Sequence, residues 1–247
     1  MSDQDQFFVR LSGRCNLSAE VLHLSFEKTT GGCGTVLEPG QYACLSKDLD
    51  GEIVKGYYSL ASEPCSDKFE LCVRVRETGG EFGQFFTQCR LGEIFTFELP
   101  VGNFRLRAPL RSSVFAVHGT GIAPVRSMLR YLLKNGVQST DVPLTLLQGA
   151  RTEEDLYYSV EFEEFVQHHS IFRYWPIVSG ESPSWTGRTG RVQEHLHEAL
   201  GSKLDDTDVY LCGSNDMVKT TVGRLQTWKF DERAIVYEKY AQENRGD

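Results

Sequence analysis

Through the first 110 residues, short strand-like runs rich in apolar residues recur: Phe7 to Leu11, Glu20 to Phe26, Gln41 to Leu45, Ile53 to Leu60, Phe69 to Arg76 and Ile94 to Leu99. Gly31-Gly32, Pro39-Gly40 and Asp48 to Gly51 punctuate them. Six short strands divided by turn residues predict a small antiparallel barrel. Phe82 to Gln88 breaks the rhythm after Gly79-Gly80 and reads as a short helix.

Beyond Leu110 the pattern changes to an apolar run followed by an amphipathic stretch. Val114–Val117 precedes Val125–Lys134, Leu144–Leu147 precedes Val160–His168, and Phe172–Val178 precedes Val192–Leu200. Val209–Cys212 with Met217–Trp228 and a last strand at Ala234–Glu238 complete the series. Such alternation predicts a five-stranded parallel sheet covered on both faces. The chain is thus expected to hold two domains, a six-stranded antiparallel β-barrel over residues 1–110 and an α/β domain over residues 111–247. A parallel sheet binds ligands at the carboxyl ends of its strands, where Gly119-Thr120-Gly121 and Cys212-Gly213 fall.

Gly119-Thr120-Gly121-Ile122-Ala123-Pro124 joins the first of these strands to its helix. Glycine lets the backbone approach a ligand closely, and the free N–H groups and positive dipole end of the helix attract phosphate oxygens. Pro124 suits a first helical turn, where its missing N–H costs nothing. A tight packing turn is the competing reading for this segment alone.

Composition narrows the partners. The 247 residues are 40% hydrophobic, enough for real cores, and carry a net charge of -8, which argues against general nucleic-acid binding. Arg105, Arg107 and Arg111 form a tight basic group that suits either a solvated linker or the docking of an acidic partner. No apolar run approaches the ~20 residues that span a bilayer, and the acidic Met1-Ser2-Asp3-Gln4-Asp5 lacks signal-peptide character, so a cytoplasmic protein is expected. Seven scattered cysteines, at 15, 33, 44, 65, 72, 89 and 212, suit reduced thiols. Their spacing does not match that of a plant-type iron–sulfur cluster, and no metal site is expected.

Three further stretches carry a resemblance. Pro39-Gly40-Gln41-Tyr42 with Lys55-Gly56-Tyr57-Tyr58-Ser59 is similar to the Arg-x-Tyr-Ser flavin motif of the ferredoxin-NADP reductase superfamily. Cys72-Val73-Arg74-Val75 with Thr78-Gly79-Gly80-Glu81-Phe82-Gly83 resembles its flavin pyrophosphate segment, and Pro100-Val101-Gly102-Asn103-Phe104 its barrel-closing element. Gly149-Ala150-Arg151 leading to Asp155-Leu156 and Glu161, and Tyr210-Leu211-Cys212-Gly213 with Met217, are similar to elements of its nucleotide half. The resemblance covers essentially the whole chain and implies an FAD-dependent NAD(P)H oxidoreductase without an iron–sulfur domain.

By that resemblance Tyr58 stacks on the flavin, beside Tyr57, and Ser59 lies near flavin N5, with Ser59, Cys212 and Glu238 as the catalytic group. Gly56 stands where the family has arginine, which leaves Lys55 or Arg74 to hold the flavin phosphate; Val75, Gly80, Phe82 and Gly83 would line that segment. Gly83 replaces the family's Ser or Thr, so a hydroxyl contact is missing. The nucleotide would meet Gly119, Thr120, Gly121, Pro124, Arg151, Ser179, Arg188, Cys212, Gly213 and Met217, and Tyr240 would cover the flavin face. The parts imply hydride transfer from nicotinamide to flavin N5 and onward delivery to a separate carrier such as a ferredoxin, flavodoxin or oxygenase component. A reductase of free flavin, quinone or ferric complexes, or a non-catalytic subunit, is the alternative. Ser179-Gly180-Glu181 places a carboxylate where NADPH enzymes carry arginine, which favours NADH, while Arg188 and Arg151 argue for NADPH.

Histidines offer little metal chemistry. His195 and His197 lie about 200° apart around a helix and cannot face one ion. His168-His169 ends a helix, and His118, just before the glycine turn, suits either packing or a nucleotide contact.

Overall fold

A computed structural model describes residues 6–30, 37–49, 51–64, 67–75, 81–134, 142–201 and 206–240. Gly80, two of the cysteines (33 and 65) and the segment 241–247 lie outside the described residues. The first half contains β1 (Gln6–Ser18), β2 (Val21–Thr30), β3 (Tyr42–Leu49), β4 (Glu52–Ser59), β5 (Lys68–Arg74), α1 (Glu81–Gln88) and β6 (Ile94–Val101). Its strands pair antiparallel in the order β4-β3-β6-β1-β2-β5. A bridge between Leu60 and Leu71 and the Ala61 N–H to Glu70 carbonyl bond of 2.7 Å bring the two edges together. Alternation does what period two requires: Phe7, Val9 and Leu11 point inward with Phe26, Phe95 and Phe97, while Phe8 and Arg10 face out.

Several strands run longer than their alternation shows. β1 continues to Ser18 through Ser12-Gly13-Arg14, where two register shifts absorb the loss of pattern, and β3 and β4 extend into their hairpin as far as Leu49 and Glu52.

The second half contains β7 (Ser112–His118), a tight helical turn at Gly119–Gly121, α2 (Ile122–Lys134), β8 (Leu144–Ala150), α3 (Ser159–His168), β9 (Phe172–Val178), β10 (Arg188–Thr189), α4 (Val192–Leu200), β11 (Thr207–Ser214), α5 (Asn215–Thr227) and β12 (Ile235–Tyr240). The sheet is parallel with the order β10-β9-β8-β7-β11-β12. It has six strands rather than the expected five, because the two-residue β10 pairs with Ile177 and Val178 and is too short to leave a pattern in the sequence. Every residue of β8 is buried, as a strand covered on both faces demands. One face packs α2 and α3 around Phe115, Val117 and Phe162; the other packs α4 and α5 around Val114, Ala116 and Leu147. The strand order reverses between β7 and β11, the crevice where such sheets receive ligands.

The arginine cluster is absorbed by the fold. Arg105 pairs with Glu38 at 3.1 Å, Arg107 with Asp208 at 3.2 Å, and Arg111 with Asp206 at 3.2 Å, so these charges tie the connecting segment down. Among the described residues, no helix is long and apolar enough to cross a membrane.

Candidate functional site

The two halves meet where β4 ends and where β7, β11 and β12 reach their carboxyl ends. β11 and β12 pair with Cys212 opposite Glu238 and Ser214 opposite Tyr240, which carries both β12 side chains toward the barrel. Ser59 Oγ donates to Glu238 Oε2 at 3.2 Å, and the Tyr240 hydroxyl lies 3.3 Å from Ser59 Oγ and 3.2 Å from the Thr120 carbonyl. Five of the expected residues, Ser59, Thr120, Cys212, Glu238 and Tyr240, therefore form one polar group at the junction. Burial pushes the Glu238 carboxyl above its ordinary value, against the pull of the Ser59 hydrogen bond. Burial likewise pushes the Cys212 thiol far up, and the nearby Glu238 adds to the effect. Cys212 is thus a neutral thiol at neutral pH, suited to contact and not to nucleophilic attack.

On the barrel side, Tyr58 packs its ring against Phe82 and Phe86, with centroids 6.4 and 5.8 Å apart. Gly56 lies two residues earlier on the same face, and a Cβ there would stand 2.6 Å from the Tyr58 ring. Tyr58 therefore fills the space that a longer side chain at 56 would take. Lys55 and Tyr57 point to the opposite face: Lys55 Nζ binds Glu98 Oε1 at 3.0 Å, and Tyr57 meets Tyr42 edge-on. Lys55 is not gathered with Tyr58. Arg74 lies at the Gly119 turn, its guanidinium reaching to 3.5 Å from where a Cβ on that glycine would be. Val75 is buried, and its N–H donates to the Glu20 carbonyl at 2.8 Å. Phe82 is buried in the barrel core, whereas a Cβ at Gly83 would meet nothing within 4 Å.

On the nucleotide side, Gly119 turns the chain with a φ of 59°. A Cβ on Gly121 would lie 2.3 Å from the Cys212 carbonyl oxygen and 3.0 Å from the Gly213 N, so the turn rests directly on the end of β11. Pro124 is buried in the first turn of α2, and Met217, buried at the start of α5, donates its N–H to Ser214 Oγ at 3.3 Å. Arg151 is exposed and accepts the Gly180 N–H on its carbonyl at 2.8 Å; Ser179 Oγ donates to the Ala150 carbonyl at 2.9 Å. The Arg188 guanidinium lies over Trp175, 3.9 Å from the ring centroid, and Glu198 grips it through two bonds of 2.8 and 2.7 Å. That pair ties β10 to α4.

A second polar group across the same junction has a faint sequence signal: an arginine inside the apolar stripe of α2. Arg126 is 4% exposed and binds Glu161 Oε2 of α3 at 2.6 Å, Glu70 Oε2 of β5 at 2.5 Å and the Ala61 carbonyl at 2.9 Å. Its guanidinium lies 4.2 Å from the centre of the Tyr158 ring. Arg130 binds the same carboxylates, at 2.5 Å to Glu161 and 3.0 Å to Glu70. Tyr158, held at a φ of 63°, meets His23 Nδ1 through its hydroxyl at 2.9 Å. The histidines that carried no metal expectation are engaged locally: His195 Nε2 with the Thr189 carbonyl at 2.8 Å, His168 Nδ1 with the Glu164 carbonyl at 2.7 Å, and His197 edge-on to Trp228.

Comparison with known proteins agrees with both halves. Residues 9–106 match the oxidoreductase FAD-binding domain family and residues 117–223 the oxidoreductase NAD-binding domain family. Ferredoxin--NADP reductase B of Sorangium cellulosum is 36% identical over 225 residues, 88% of this chain and 90% of that protein. The anthranilate 1,2-dioxygenase electron transfer component of Acinetobacter baylyi is 32% identical over 213 residues, 83% of this chain and 59% of that longer protein. Two solved structures share the fold: a cytochrome P450 reductase from Amycolatopsis (TM-score 0.84, 24% identity, 97% of this chain and 71% of that one) and the FAD/NAD-binding domain of nitric oxide dioxygenase from Vibrio cholerae (TM-score 0.83, 20% identity, 96% and 100%). With its barrel, its parallel sheet and a relative matched along nearly its whole length, the chain belongs to the ferredoxin-NADP reductase superfamily of FAD-dependent NAD(P)H oxidoreductases.

Proposed function

We propose that the protein takes a hydride from NADH onto FAD at the junction of its two halves, divided near Leu110, and delivers electrons to a separate cytoplasmic carrier protein. The convergence of Ser59, Glu238, Tyr240, Thr120 and Cys212 is the observation that supports this most directly. The residues present fit the flavin. Gly83 leaves open space at α1, Arg74 offers a guanidinium beside the Gly119 turn, and Ser59 presents a hydroxyl at the end of β4. FAD supplies hydride acceptance at N5 and stepwise electron release when bound.

Each residue then has a physical task. Tyr58 offers its ring as a flat wall, and Arg74, in place of Lys55, balances phosphate charge. Ser59 Oγ donates to Glu238 Oε2 and would offer the same hydroxyl to a flavin ring nitrogen, and Glu238, pushed up by burial, holds a proton more readily than an exposed carboxylate. Tyr240 shields the junction from water and has to yield its bond to the Thr120 carbonyl when nicotinamide enters. Cys212 and Gly121, packed together, set the depth to which the nicotinamide end can reach.

The preference for NADH rests on charge. Glu181 follows Ser179 at the exposed end of β9, and Arg188 is already neutralised by Glu198. Names of relatives such as ferredoxin reductase and oxygenase electron transfer component support a small redox protein as the acceptor. Anaerobic titration of the FAD-loaded protein with NADH and NADPH tests the proposal. Rapid bleaching of flavin absorbance, faster with NADH, is expected; protein that cannot be loaded with FAD, or flavin that neither nucleotide bleaches, refutes it. Ser59→Ala should keep FAD bound while slowing the bleaching about 100-fold, the loss that misplacement at a reacting centre produces.

A further inference from the structure

His118 ends the central strand β7 immediately before the Gly119 turn, at the reversal point of the sheet. It pairs with Gly149 of β8 and lies beside Gly213 of β11. A Cβ on Gly149 would stand 3.5 Å from His118 Cδ2, and one on Gly213 would stand 3.4 Å from His118 Cβ. Two bare backbones thus flank the histidine. It is half-buried, and among the described residues neither ring nitrogen has a hydrogen-bond partner. Neither nitrogen is fully enclosed, so the ring edge is open to a ligand.

The charged groups facing it come from three other elements. Arg74 approaches from β5, Asp155 from the segment after β8, and Arg191 from the residue preceding α4. Asp155 is engaged with the Tyr157 hydroxyl at 3.0 Å and Thr152 Oγ1 at 3.2 Å, and Arg191 has an exposed, long contact to Asp216 of α5 at 3.9 Å. Two arginines, one carboxylate and the imidazole thus lie around the glycine turn.

We propose that His118 is a positioning residue for the dinucleotide: its ring hydrogen-bonds a pyrophosphate oxygen and takes up one proton from solvent as the nucleotide binds. The inference rests on the dinucleotide site proposed above and adds to it a residue and a pH linkage. Burial, with Arg74 and Arg191 outweighing Asp155, keeps the free imidazole below its ordinary value and therefore neutral at pH 7. A bound pyrophosphate reverses the sign of the local field and favours the imidazolium. The pKa is then higher in the complex than in the free protein. Affinity is greatest below the free value and falls as pH rises through the bound value, by about tenfold for each unit separating them.

Calorimetric titration of the FAD-loaded protein with ADP-ribose tests this, because ADP-ribose carries the pyrophosphate without the reactive ring. Runs at about pH 6 to about pH 8, in buffer pairs of different ionisation enthalpy, report proton uptake directly. Wild-type protein should take up a proton and bind about tenfold more weakly at the alkaline end. His118→Gln should bind at every pH as weakly as wild type does at the alkaline end, without uptake; His118→Asn serves as a second variant if the first loses its flavin spectrum. Equal uptake and equal pH dependence in wild type and variants overturn the role of His118 while leaving the dinucleotide site intact. Failure of the wild-type protein to bind ADP-ribose overturns both.

Discussion

Replacing Arg126 by methionine should loosen the junction of the two halves by a calculable amount. The arginine side chain is 5% exposed, and its removal leaves Glu70 and Glu161, 20% and 16% exposed, with fewer cations. Breaking a buried ion pair on one side costs about 3–5 kcal/mol. Arg130 still reaches both carboxylates, at 3.0 and 2.5 Å, so the lower end, about 3 kcal/mol, is expected. At about 2–4 °C per kcal/mol for a chain of this size, the midpoint of thermal unfolding should fall by roughly 6–12 °C. Differential scanning calorimetry at neutral pH measures it. The loss has a pH signature. Burial pushes both carboxyls up, but Arg126 and Arg130 pull harder and hold them below their usual value of 4.5. Their stabilisation is complete above that value and is lost as pH falls through the depressed folded values, so the gap between wild type and variant should narrow in acid. Adding Glu161→Gln should recover part of the loss by removing one of two buried carboxylates that then share Arg130. A midpoint shift below about 2 °C, or a gap that widens in acid, would refute the reasoning.

Other substitutions probe the site more locally. Gly121→Ala drives a Cβ to 2.3 Å from a backbone oxygen that cannot swing away; about 1–3 kcal/mol of destabilisation and at least tenfold weaker ADP-ribose binding are expected by calorimetry, and unchanged binding would contradict the packing of the turn on β11. Gly83→Ser places a hydroxyl in open space at α1 and should tighten FAD about fivefold in a fluorescence titration, the worth of about 1 kcal/mol for one hydrogen bond; no tightening would remove Gly83 from the flavin segment. Arg188→Ala should leave the ratio of kcat/KM for NADPH and NADH within about twofold, because that guanidinium is held by Glu198, whereas Glu181→Gln should raise NADPH use about fivefold by removing roughly 1 kcal/mol of like-charge repulsion. The reverse ranking would assign the phosphate to Arg188.

Most of the architecture was legible because it is written in periods of two and 3.6. Phe7, Val9 and Leu11 declare their barrel face, and the leucine-rich run of β8, buried at every residue, declares a strand covered twice. The stretches that escaped are those whose geometry is imposed from outside. The polar half of β1 is a strand only because β2 pairs with it, and β10 exists only because Ile177 and Val178 present an edge. In the site, Ser59, Cys212, Glu238 and Tyr240 were readable as motif residues, and the fold brings them together at the junction. Lys55 was not separable from Arg74 in sequence, since the choice depends on which face of β4 the side chain takes; period two puts Lys55 with Tyr57, away from Tyr58. Arg126 was hidden for a different reason. An arginine in an apolar stripe looks like a surface residue until two carboxylates from distant segments close on it.

The barrel's seam gives the two-part design a further meaning. Where β4 and β5 approach, the ladder consists of little more than the Leu60–Leu71 bridge and the bond from the Ala61 N–H, and the carbonyl of Ala61 finds its donor in Arg126 of α2. The ring is thus finished by its neighbour. A barrel laddered all the way round would have committed these backbone groups to itself and left a closed wall beside Ser59. By ending early, β4 leaves the Ala61 carbonyl to Arg126, so the same contact that completes one fold fastens it to the other.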